Sequence, residues 1–99
     1  MKRIVRVLRR AQLDLAEIQR YVATDQPDAA NAIVDDLLDA IERLGRIPTM
    51  APVARDPRLS ALGYRVLVRG NYAVFYKLVA RHVRVYRVQH QRREYGRLL

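Results

Sequence analysis

Residues 64–79 read Tyr64-Arg65-Val66-Leu67-Val68-Arg69-Gly70-Asn71-Tyr72-Ala73-Val74-Phe75-Tyr76-Lys77-Leu78-Val79. Side chains of a strand alternate between its two faces, so Tyr64, Val66 and Val68 share one side and Arg65, Leu67 and Arg69 the other. Gly70-Asn71 is a two-residue connection, and glycine at its first position suits a type II′ hairpin turn. Tyr72 to Val79 is apolar apart from Lys77, which predicts a central strand. Ala80-Arg81 turns the chain again, and His82 to Gln89 predicts a last strand. Three antiparallel strands in succession set the fold class, and Arg65 and Arg69 are expected to point outward from them.

Toward the amino terminus the period changes. Ala11, Leu15, Ile18 and Val22 recur at spacings of four, three and four, while Asp14, Glu17 and Arg20 lie off that line. This predicts an amphipathic helix of about three turns. Asp25 or Gln26 is placed to cap a second helix, with Pro27 in its first turn. Ala30, Ile33, Val34, Leu37, Leu38, Ile41 and Leu44 mark its apolar face, and Gly45 and Pro48 stop it. Asp35, Asp36, Asp39 and Glu42 form a solvated stripe opposite. Residues 2–8 are β-branched and partly alternating, a strand with a basic face. Residues 49–62 hold two prolines and little periodicity, and are expected to be loop. The order is β-α-α-β-β-β, an α+β fold with a helix hairpin on a small, mainly antiparallel sheet.

The chain's 99 residues are expected to form one domain, 1–99. No apolar run approaches the roughly 20 residues that cross a bilayer, so a cytoplasmic protein without membrane association is expected. Charge is the unusual feature: the net value is +9, unevenly placed. Residues 1–10 carry five bases and no acid, residues 11–48 total −5, and residues 49–99 total +9. Nearly all cations are arginine, whose planar fork suits phosphates and carboxylates. An acidic partner follows, either nucleic acid or protein.

Subtraction narrows the chemistry. With no cysteine, thiolate metal sites and cysteine nucleophiles are excluded, and two histidines make a multi-histidine metal site improbable. Ser60 is the one serine, in a predicted loop and outside any nucleophile-elbow pattern. No glycine-rich phosphate loop occurs, so no cofactor is expected. What remains is Arg65, Arg69, Lys77, Arg84, Arg87, His90, Arg92, Arg93 and Tyr95. Arg87 lies in register with Val83 and Val85, where a charge is costly unless paired. It is either an edge residue at a groove or the partner of a helix acid. His90 follows the last strand, where a side chain leaves the core. Tyr64, Tyr72, Tyr76 and Tyr86 fit packing better than base stacking.

Ala11-x-x-Asp14-Leu15-x-x-Ile18-x-x-Tyr21 resembles the opening of RelE/ParE superfamily toxins of bacterial type II toxin–antitoxin modules. The alanine-rich start of helix two, Leu44 with Pro48, Gly63-Tyr64-Arg65 and Tyr72-x-Val74-Phe75-Tyr76 extend the likeness. The ending Val85-Tyr86-Arg87-Val88-x-His90-x-Arg92-Arg93-x-Tyr95 completes it over nearly the whole chain. The resemblance implies a β-α-α-β-β-β fold, a cognate antitoxin and a growth-arresting activity that is silent while the antitoxin is bound.

That superfamily divides by mechanism. RelE-like members cut mRNA on the ribosome with basic residues and, in some branches, a histidine or tyrosine. In that pattern a basic residue lies two places beyond the match to Arg65, and another follows the tyrosine of the next strand. Here those places hold Leu67 and Ala73. Metal-free RNA cleavage needs groups that activate the 2′-hydroxyl and neutralise the phosphate, so the ParE-like reading, poisoning of DNA gyrase, is favoured. Its target-binding residues would be Arg65, Arg69, His90, Arg92, Arg93 and Tyr95. The alternative, a ribosome-dependent endoribonuclease, would use Arg65, Arg87, His90, Arg92 and Tyr95 with the ribosome and mRNA as partners. A third reading is a non-toxic nucleic-acid-binding module.

Overall fold

The structure, a computed structural model, describes residues 3–91. In chain order it holds β1 (Ile4–Val7), α1 (Arg9–Asp25), α2 (Pro27–Arg43), α3 (Pro57–Ala61), β2 (Arg65–Arg69), β3 (Tyr72–Val79) and β4 (His82–His90). The expected β-α-α-β-β-β arrangement is present. The four strands form one sheet in the order β1-β4-β3-β2, with β1 parallel to β4 and the other pairs antiparallel.

Local chemistry accounts for most boundaries. Gln26 precedes α2, with Pro27 opening it and Asp28 in its first turn, where the helix dipole favours an acid. The Gly70-Asn71 connection has φ of 57° at glycine and no positive φ at asparagine, as a type II′ turn requires. In the second hairpin Ala80 takes φ of 54°, a left-handed conformation that an alanine adopts at some cost. Helix α1 begins at Arg9, two residues earlier than expected, without a side-chain cap. The predicted loop is also interrupted. Asp56 accepts hydrogen bonds from the Arg58 and Leu59 amides (2.8 and 3.3 Å) and Pro57 follows it, so the short helix α3 forms.

Two apolar clusters sandwich the sheet. On one side Ala11, Leu15 and Ile18 of α1 and Leu37 and Ile41 of α2 pack with Val74, Tyr76, Val83, Val85 and Val88. On the other, Ala54 and Leu59 cover Tyr64, Ala73 and Phe75. The second cluster is centred on β2 and β3, with Tyr86 of β4 packed against it. Gly45 joins the end of α2 to the start of β1: its carbonyl accepts from the Arg3 amide (2.7 Å), and a Cβ there would lie 2.9 Å from the Arg3 carbonyl oxygen. Among the described residues no helix is long and apolar enough to cross a membrane.

Candidate functional site

The candidate site is built where α1 meets the open end of β4. Strand β1 runs beside β4 only as far as Val85, so beyond that point this edge of β4 has no strand neighbour among the described residues. A β-bulge falls there as well, with Phe75 opposite Arg87 but Tyr76 opposite Val85. Tyr86 is the additional residue, and the buried series Val83, Val85, Val88 changes its step from two to three. Asp14, projecting from α1, fills the gap. Its Oδ2 accepts from the Val88 amide at 3.0 Å and from Arg87 Nε at 2.8 Å, and its Oδ1 accepts from Arg87 Nη2 at 3.2 Å. Both side chains are buried, Asp14 at 1% and Arg87 at 7% exposure. The pair supplies the missing backbone acceptor and neutralises the buried guanidinium. Of the two readings for Arg87, the structure shows the partner of a helix acid.

Beside this pair lies a groove of about 620 Å³ between α1 and the strand ends, bordered by Asp14, Glu17, Tyr21, Tyr72, Gln89 and His90. Tyr21 is 79% exposed at its rim. The His90 ring packs edge-on against Tyr72, with centroids 5.5 Å apart. Burial holds the Tyr72 phenol above its usual pKa, with Tyr21 adding to the rise, so Tyr72 is a poor proton acceptor near neutrality.

Arg65 and Arg69 do share a face, opposite Val66, but it is the helix side rather than an outward one. Tyr76, the partner of Arg65 across the hairpin, belongs to the helix-side core, and Arg65 Nη1 donates to the Ala51 carbonyl at 2.7 Å. Arg69 reaches α2 and grips Asp36 with two bonds of 3.0 Å. That hydrogen-bonded contact lowers the Asp36 pKa and raises that of Arg69. The expected solvated stripe on α2 therefore gives up one acid to the sheet. The physical reason is the helix hairpin itself, which lies over the face that strand alternation assigned to the arginines. The groove brings His90 close to the Arg87–Asp14 pair but leaves Arg65 and Arg69 at other places on the sheet. Arg92, Arg93 and Tyr95 lie outside the described residues.

Comparison with known proteins fits this architecture. A family model described as the ParE toxin of the type II toxin–antitoxin system parDE matches residues 5–95. The chain belongs to the ParE toxin family. Among solved structures, a chain of the chromosomal ParDE system from P. aeruginosa aligns with this ParE-family chain at a TM-score of 0.76 and 17% identity, covering 90% of this chain and 96% of that one. At that identity the likeness shows the shared fold. A chain of the RelBE2 toxin–antitoxin complex from Mycobacterium tuberculosis aligns at a TM-score of 0.62 and 25% identity, covering 92% and 100%. No match is found among curated proteins.

Alternation-based reading missed Asp14 as a site residue of this ParE-family chain, although a signal was there. Ala11, Asp14, Leu15 and Ile18 are spaced i, i+3, i+4, i+7, and all four are buried. An aspartate at a core position of that stripe implies a buried cationic partner. Among the described residues no group of three or more histidine and acidic side chains is arranged to hold a metal ion.

Proposed function

We propose that this toxin arrests growth by binding and poisoning DNA gyrase, cleaves no RNA, and is held silent by a cognate antitoxin encoded beside it. The single observation that carries the choice of target is the internal commitment of the cations that a ribonuclease reading needs. Arg87 is buried against Asp14, Arg65 donates to Ala51, and Leu67 and Ala73 stand where that reading wants further bases. A metal-free cleavage site must present charge to a phosphate as it becomes more negative. A guanidinium already shared with a buried carboxylate is poorly placed to do so. The antitoxin partner is supported by the two toxin–antitoxin assemblies among the structural relatives.

Binding to gyrase would use the rim of the α1–β4 groove, which Tyr21 and His90 help to line. The test is to induce the chain alone in bacteria and assay plasmid topology together with mRNA 5′ ends. Loss of supercoiling with intact mRNA is expected, and purified gyrase should lose supercoiling activity on addition of the toxin. Removing residues 90–99 should relieve that inhibition. Translation-dependent mRNA cuts with normal plasmid topology would overturn the proposal.

A further inference from the structure

The face of the sheet away from the helices carries a feature that neither the groove nor the core uses. Arg6 of β1 lies directly opposite Arg84 of β4, and Arg84 lies directly opposite Lys77 of β3. Residues paired in this way project to the same side of a sheet. Three cations therefore stand in one row across three adjacent strands. Arg6 is exposed, and Arg84 and Lys77 are partly so.

Like charges placed directly opposite one another oppose folding, and among the described residues no acid offsets them. Among the described residues the ion pairs involve Arg10, Arg69 and Arg87, and no carboxylate lies within ion-pairing distance of Arg6, Arg84 or Lys77. Lys77 is held in place, with its Nζ 4.4 Å from the Tyr64 ring centroid and 5.2 Å from that of Tyr86. Such contacts reduce the freedom the ammonium would lose on meeting a ligand.

We infer that this row, Arg6–Arg84–Lys77, is a binding site for the phosphodiester backbone of duplex DNA. The spacing fits. Strands lie about 4.8 Å apart, so the row spans about 10 Å, in which one DNA strand passes about three phosphates at 3.4 Å each along the axis. An acidic protein segment fits less well, because peptide recognition draws on apolar anchors seated in a groove. Neither groove flanking the helices, one beside His90 and one beside Arg69, includes any residue of the row. The choice of DNA over RNA rests on the gyrase reading. The binding assay contains no gyrase, so it can fail without touching that reading.

The experiment measures binding of the full chain to a fluorescent duplex of about 20 base pairs over a range of salt, since each phosphate contact contributes about 0.9 to the slope of log K against log salt. The variant Arg6→Gln/Arg84→Gln/Lys77→Gln is compared with Arg43→Gln/Arg46→Gln/Arg55→Gln. The second variant removes the same charge from exposed positions elsewhere. Thermal unfolding confirms that both fold. The row variant should lose about 2–3 from the magnitude of the slope, and the control less than about 1. Equal losses would overturn the proposal, because net charge alone would then explain binding. Competition by poly-glutamate as effective as that by DNA of equal charge would overturn it too, as would tighter binding of an RNA duplex with the same row dependence.

Discussion

The two faces of the sheet treat their cations in opposite ways. Toward the helices Arg87 reaches round the open edge of β4 to Asp14, Arg69 is clasped by Asp36, and Arg65 is bound to the Ala51 carbonyl. On the far side Arg6, Arg84 and Lys77 stand in a row with no acid beside them among the described residues. A guanidinium covered by the rest of the fold must bring an acceptor with it, a carboxylate where burial is nearly complete, because an unsatisfied buried charge is costly. One that remains wet need not. Arginine count alone is therefore a poor guide to where a basic protein meets an anion.

The sharpest way to break this comparison is to remove one member of the buried pair. Asp14→Ala or Arg87→Ala should each lower stability by about 3–5 kcal/mol, read as a shifted urea midpoint, because each strands a buried charge. The double replacement Asp14→Leu/Arg87→Met should recover much of that loss. If the singles cost no more than surface substitutions, the pair is not buried as described. Gly45→Ala tests the packing of α2 against β1, since its Cβ meets the Arg3 carbonyl at 2.9 Å. A loss of about 1–3 kcal/mol is expected from overpacking.

On the far face the sign should reverse. Arg6→Gln/Arg84→Gln/Lys77→Gln relieves two like-charge contacts and should raise stability by a few tenths of a kcal/mol to about 1 kcal/mol at low salt. Added salt should shrink the difference. Because Lys77 also gives up its ring contacts with Tyr64 and Tyr86, the cleaner reading comes from Arg6→Gln/Arg84→Gln, where a destabilised variant would mean that the two arginines have structural partners. The smallest effect belongs to the exposed Arg69–Asp36 pair, where Asp36→Asn should shift Tm by only a few degrees. Its pH dependence has a definite sign. The Asp36 pKa is lower in the folded chain than its ordinary 3.8, so the contribution is complete above that value and disappears as pH falls through the folded one. Wild type and Asp36→Asn should thus differ equally at pH 7 and pH 5 and converge in strong acid.

Much of the fold was legible because it follows from local periodicity. The apolar spacing of residues 11–44 marks the helix hairpin, and Gly70-Asn71 with its flanking alternation marks the β2–β3 turn. The exceptions have local causes of their own. Asp56-Pro57 opens a helix too short to show a period, and the bulge at Tyr86 resets the alternation that placed Arg87. Site residues were less legible. Alternation put Arg65 and Arg69 together correctly, yet it carries no information on which side of a strand the helices settle.

The amino-acid sequence by itself determined the order of elements, the family resemblance and the excess of arginine. Each depends on residues near one another in the chain or on composition. Which arginines meet acids, and which remain open, was decided by tertiary structure alone. Asp14 and Arg87 are 73 residues apart and Asp36 and Arg69 are 33 apart. Only the docking of helices on one face of the sheet brings such charges within bonding distance and leaves the opposite row without an acid partner among the described residues.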